Sequence, residues 1–381
     1  MRDRIKFLLK EALGVPQDIL KTSIEIYETF YEALSEIPYS DNTGQYSVEL
    51  EDDFKISDYT FNKVKISVNC HEQPNFEEIV LLGGQVSRKI FVHPLKPITR
   101  EINEGVFNLN IDFAVPEDFE FGDLINFLDE NKPQMLRLFS HELKHLYDSV
   151  KKTISPYSER SEYMTYSETR FGIPPIDEFL HYCYFITQVE NLVRPTELAS
   201  LMSSGEVTRG NFIDFLKNND LYKMLLEIRS FDVKRFKEKL KSYEKKIDEI
   251  FKSVNETPPI DLDEKIDRFI DIFFISLTNA RLENLKSMVF HNPLSRLIGN
   301  HENEAYLDRF LRRVTKYKNG TDFLESEEKR FKFVAQKMIK KISKLFAMTK
   351  TNESIVDWDL YHEVKKTKIT EFTNKLKYKK K

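Results

Sequence analysis

Residues 141–145 read His-Glu-Leu-Lys-His. On an α-helix, side chains four apart project only about 40° from one another. His141 and His145 can therefore bring two imidazoles to one metal ion. Glu142 then lies beside that ion without having to coordinate it. Two nitrogen ligands with a carboxylate next to them suit the hydrolysis of a peptide bond. Zinc in such a set lowers the pKa of a water, polarises the scissile carbonyl and steadies the oxyanion. The glutamate takes the water's proton and delivers it to the leaving amine. A surface helix with two idle histidines has the same spacing, so the rest of the chain must decide between them.

A catalytic zinc needs a third protein ligand. The stretch from Tyr147 to Ile154 holds no histidine, so the ligand must come from further on. The leading candidate is Glu197 in "RPTELASLM", on a predicted helix where Ala199 would allow close approach. Glu190 stands seven residues earlier and shares that face if one helix runs through Pro195, which threatens to break it. His181 in "HYCYF" is a further candidate, as ligand or as donor to the oxyanion, although a histidine among aromatics is more often a core residue. Glu302 and Glu304 sit near a predicted helix start, where acidic residues already have a reason to be. Asp148, one turn after His145, is either an acceptor that fixes a ligand imidazole or a solvated carboxylate. Tyr157, Tyr163 and Tyr166 are candidate donors to the oxyanion.

The elements that must position these residues can be read from periodicity. The motif falls within "PQMLRLFSHELKHLYDSVKK", which opens on Pro133 and closes on Lys151 and Lys152, as a helix does. Met135, Phe139, Leu143, Leu146 and Val150 form an apolar stripe that would bury one side and leave the histidines to line a cleft. Residues 1–35 predict helix on both sides of Pro16, and "SDNTGQ" (40–45) predicts a break. Val64, Ile66, Val68 and Cys70 alternate with polar residues, which predicts a strand. Two more are expected around Gly83–Gly84, and the cleanest alternation is "FNLNIDFAV" (107–115). That last strand lies upstream of the motif, and a likeness to zinc proteases of this architecture would imply a sheet-edge strand that receives a substrate backbone by strand addition. A long polar segment, Thr153–Pro175, is expected as a loop and a candidate flap over the cleft. Asp177 is expected to cap the helix after it. Beyond Gly205, amphipathic helices are expected around 210–254, 263–290, 302–316, 325–347 and 354–376, with a domain boundary near 205–210.

Composition narrows the partners. Lys+Arg number 58 and Asp+Glu 62, leaving −4, so no global basic field argues for nucleic acid. The basic run Asn374–Lys381 reads as a solvated tail. Only Cys70 and Cys183 are present, which excludes a disulfide framework and points to a reducing compartment. The apolar run Phe7–Leu9 is too short for a signal peptide, and "FIDIFFISL" is too short for a bilayer span. The expectation is a soluble cytoplasmic protein with no membrane partner.

His-Glu-Leu-Lys-His on a helix, followed some fifty residues later by a Thr-Glu-Leu-Ala helix, resembles the gluzincin type of zincin metallopeptidase. It is also similar to the zincin-like peptidases of bacteriophage and bacterial genomes. The resemblance covers residues 1–205 and implies that His141, His145 and Glu197 bind zinc, with Glu142 as general base. The glutamate-helix signature of thermolysin itself is absent. The fold class expected is α+β: a zincin-like half with an N-terminal helix and small sheet (1–205), then a mainly helical extension (206–381). The function expected is a zinc-dependent peptidase acting on protein or peptide substrates, an endopeptidase rather than an exopeptidase. The helical extension is a possible surface for a protein partner. The alternative is a zincin-fold structural or assembly protein, for instance of a phage particle and then virion-associated, with a vestigial or structural metal site.

Overall fold

The computed structural model describes residues 17–37, 44–89 (53, 57, 58, 62 and 75 excepted), 106–150, 158–204, 210–291, 308, 311, 312 and 314–348. The fold is mixed α+β. The chain divides into two compact units. One is drawn from Met1–Thr153, Val193–Ile213 and Lys344–Lys381, the other from Ile154–Leu192 and Asp214–Ser343. The division is thus not a single cut near 205–210. Among the described residues no helix is long and apolar enough to cross a membrane.

The first unit opens with helix α1 (Gln17–Ser35), followed by strands β1 (Gln45–Leu50), β2 (Phe54–Ile56), β3 (Tyr59–Phe61), β4 (Lys63–Glu72), β5 (Val80–Lys89) and β6 (Val106–Val115). Helices α2 (Phe121–Glu130) and α3 (Lys132–Val150) follow in the same unit. Four strands form a sheet in the order β1-β4-β6-β5, and β2 pairs with β3 separately. The β4–β6 pair is parallel, while β1–β4 and β5–β6 are antiparallel. The alternation read in β4 and β6 has its physical counterpart: Val64, Ile66 and Val68, and Phe107, Leu109, Ile111 and Phe113, are all buried.

Helix α3 lies against this core because its stripe of Met135, Phe139, Leu143 and Leu146 is buried with the strand residues. Tyr27 of α1 holds the stripe from behind: its ring meets Phe139 edge-on, at 5.7 Å and 84°, and its hydroxyl donates to the Leu128 carbonyl. Gly84 permits the close approach of β5. A Cβ there would come within 2.9 Å of Leu138 Cδ1 on α3.

Two strand expectations are corrected. "FNLNIDFAV" is not at an edge; β4 and β5 flank β6, so its backbone groups are already paired. The segment around Gly83–Gly84 is one strand, not two, with a bulge between Leu81 and Gly83 that leaves Leu82 half exposed. The edges of the four-stranded sheet are β1 and β5. Residues 1–16, 38–43 and 90–105, on which parts of the helix, turn and strand readings fell, lie outside the described residues, as does the side chain of Val150.

The rest of the chain supplies helices α4 (Ser158–Glu168), α5 (Pro174–Phe185), α6 (Gln188–Ser204), α7 (Phe212–Asn218), α8 (Asp220–Arg229), α9 (Val233–Lys241), α10 (Glu244–Ser253), α11 (Leu262–His291) and α12 (Gly320–Met348). The expected loop Thr153–Pro175 therefore contains a helix, α4. Its sequence, "SERSEYMTYSE", lacks an apolar stripe because Glu162 and Thr165 are buried on ionic and hydrogen-bonded contacts instead. Residue Asp177 does not cap α5; it accepts from the Phe171 amide. The 210–254 region is four short helices, two of them opened by side-chain caps from Asn219 and Asp232. The centre of the second unit is aromatic, with Phe179 against Phe231, Phe236, Phe273, Phe323 and Phe331. The sequence positions 302, 304, 354–376 and the basic tail fall outside the described residues.

Candidate metal centre

Helix α3 carries His141, Glu142 and His145 through its middle. The four-residue spacing does what helical geometry requires: the two Nε2 atoms approach to 2.9 Å, and the rings meet edge-to-face with centroids 4.5 Å apart. Glu142 Oε1 lies 3.8 Å from His141 Nε2. Both His141 and Glu142 are nearly out of solvent, at 8 % and 5 % exposure.

Helix α6 supplies the carboxylates. Pro195 lies inside it without ending it, so the feared break does not occur. Glu190 and Glu197 stand seven residues apart on one continuous helix, although the unit boundary falls between them after Leu192. At about 100° per residue, seven residues return almost to the same face.

The two glutamates are placed differently. One ligand atom each from His141, His145 and Glu190 lies within 4.8 Å of the others, and these three form a group able to hold a metal ion. Glu190, the alternative candidate, is thus the carboxylate in that group; it is fully buried and accepts from the Tyr184 hydroxyl at 3.0 Å. Glu197, the leading candidate, is instead bound to His141 Nδ1, on the far side of the ring from Nε2. The physical reason is Arg194, whose Nη1 donates to the same Glu197 oxygen at 2.6 Å. Burial by itself would push the Glu197 carboxyl up. The Arg194 guanidinium, the His141 imidazole and Arg137 outweigh that and hold its pKa at about 2. A carboxylate engaged in this way orients an imidazole and fixes its tautomer, leaving Nε2 for a metal.

The remaining candidates are accounted for by their contacts. Asp148 is buried and takes Lys144 Nζ on both oxygens at 2.5 Å. His181 is exposed and stacks on Tyr184 at 6.1 Å, which is neither the core role nor the ligand role considered for it. Tyr163 packs against Tyr184 at 5.2 Å. Burial drives the Tyr166 hydroxyl well above its ordinary pKa, so it stays protonated. Tyr157, Glu302 and Glu304 lie outside the described residues.

Sequence reasoning missed Arg194 and Tyr184. Arg194 had a signal, its i,i+3 spacing to Glu197. Tyr184 had none, because it reaches Glu190 across the turn between α5 and α6.

The donor set fits a metal. One ligand atom from each of two imidazoles and a carboxylate lies close enough to the others to face a single cation. Two nitrogens and one oxygen are the ligands of a catalytic zinc that keeps a fourth position open. No protein-family model matches the chain, and no curated protein and no solved structure proves similar to it.

Proposed function

We propose that this protein is a zinc-dependent peptidase of the zincin kind, holding zinc on His141, His145 and Glu190, with Glu142 as its general base. The observation that carries the reading is the convergence of the two Nε2 atoms with Glu142 at their side. The chemistry a zinc ion supplies in such a set is activation of water and polarisation of a carbonyl. Glu142 would take the proton of the attacking water and return it to the leaving amine. Glu197, fixed by Arg194, holds His141 by Nδ1 and would leave Nε2 for the metal, and Tyr184 holds Glu190. Burial of Glu142 keeps bulk water from competing for that proton.

A structural zinc closes its sphere with four protein ligands. Among the described residues the group has three members. That supports a catalytic site over the scaffold or assembly role, in which Glu142 would have no work to do. Protein or peptide chains are the substrates the reading implies. Purified full-length protein is expected to hold about one zinc per chain and to cleave a peptide library. Chelation is expected to abolish cleavage and zinc to restore it. Cleavage that survives complete removal of the metal would contradict the proposal.

A further inference from the structure

In the second unit, α4, α11 and α12, with the turn at 314–317, line an open cavity of about 430 Å³. That lies within the size range of small-molecule sites. Part of its lining is aromatic: Phe274, Tyr317 and Phe323 meet one another with centroids 5.1 to 5.8 Å apart. Another part is ionic. Glu162 accepts Arg281 Nη2 on one oxygen at 3.0 Å and Arg330 Nη1 on the other at 2.5 Å, and Arg330 Nη1 also reaches Glu327 at 3.1 Å.

An ionic cluster that only joined three helices would balance its charges. Here the lining adds Lys316, so among the described residues three cations face two carboxylates. Lys316 makes no ion pair among the described residues; its Nζ lies 4.5 Å from the Tyr317 ring centroid. Arg330 makes its hydrogen bonds among the described residues through Nη1 alone. Its Nε–Nη2 edge, the fork that grips a carboxylate with two parallel bonds, is left over. A surplus of one positive charge suits a singly charged anion better than a phosphate.

We infer that this cavity binds a small organic anion, a carboxylate attached to an aromatic group. The carboxylate sits on the Nε–Nη2 edge of Arg330 with Lys316 nearby, and the ring packs against Tyr317 and Phe323. None of the lining residues is a candidate metal ligand, so the site stands or falls apart from the peptidase reading.

The test is calorimetric titration of the full-length protein with N-acetyl-phenylalanine, and with its amide, which lacks the charge. Saturable binding of the acid is expected, with the amide about ten-fold weaker or more. Titration with 3-phenylpropionate separates the sources of such a ligand. Tighter binding of the acylated amino acid assigns the site to peptide C-termini, and equal binding assigns it to free aromatic acids. Arg330→Lys keeps a cation beside both glutamates but loses the fork, and Lys316→Gln removes an exposed charge without touching the core. Each is expected to weaken the acid about ten-fold. No saturable binding of the acid, equal affinity for acid and amide, or unchanged affinity in Lys316→Gln overturns the assignment.

Discussion

Glu190 and Glu197 share one face of one helix, yet they do different work because of Arg194. A guanidinium on Glu197 neutralises the carboxylate that sequence spacing favoured and turns it toward the back of His141. Spacing alone could not separate the two, since both fit an α-helix that runs through Pro195. The difference is measurable by zinc titration. On the proposed reading Glu190→Ala removes one of three ligands and is expected to abolish stoichiometric binding. Glu197→Ala removes a support and is expected to weaken binding about 10–100-fold. The reverse order would restore Glu197 to the ligand position. The cysteines are legible in kind as well. Burial pushes the Cys70 thiol up to about 12 from its ordinary 9.0, and drives Cys183 well above its ordinary value too. Both are therefore neutral at pH 8. The stabilisation from keeping the Cys70 thiol neutral is complete below its ordinary value and is lost as pH rises from about 9 toward about 12. Ellman's reagent at pH 8 is expected to react slowly with the native protein and quickly once it is unfolded. Fast reaction of the native protein would count against the burial.

At the scale of elements, the helix bearing the motif was the most legible part of the chain. Its apolar stripe sits at helical spacing and is buried as that spacing implies. Phe139→Ala removes a ring that meets both Tyr27 and Phe30 and is expected to cost about 3–5 kcal/mol in denaturant unfolding. What was not legible depends on pairing between distant residues. The position of β6 inside the sheet follows from partners some forty residues away, and alternation is the same at an edge or a centre. Helix α4 escaped because its buried face is polar, with Glu162 matched by Arg281 and Arg330 from over a hundred residues downstream. A second element-scale test lies at the start of α12. A Cβ at Gly320 would fall 2.4 Å from the Ile270 carbonyl oxygen, which is backbone and cannot step aside. Gly320→Ala is expected to destabilise by roughly 1–3 kcal/mol despite the better helix propensity of alanine. A neutral or stabilising result in thermal unfolding would mean that α11 and α12 are further apart.

For the whole molecule, strand alternation followed by helical periodicity implied mixed α and β structure, as the fold has it, and carried no information on how the chain divides. The expected boundary near 205–210 rests on where the residues resembling a zincin end and the further amphipathic helices begin, with no linker to mark it. The two units instead exchange segments, with Ile154–Leu192 grouped with residues beyond Asp214. Contacts and not composition decide that grouping. On the proposed reading zinc binds the folded chain and not the unfolded one, so mass action would couple it to stability. Saturation at about a hundred times Kd is expected to add about 2.7 kcal/mol, and chelation to lower Tm accordingly. The central claim is that the metal group performs chemistry through Glu142. Its most direct test is peptide hydrolysis by wild type and Glu142→Ala prepared with equal zinc content. A fall of about 10²–10⁴-fold in kcat/KM, with zinc retained, is the expected result. Equal hydrolysis by the two proteins would contradict it.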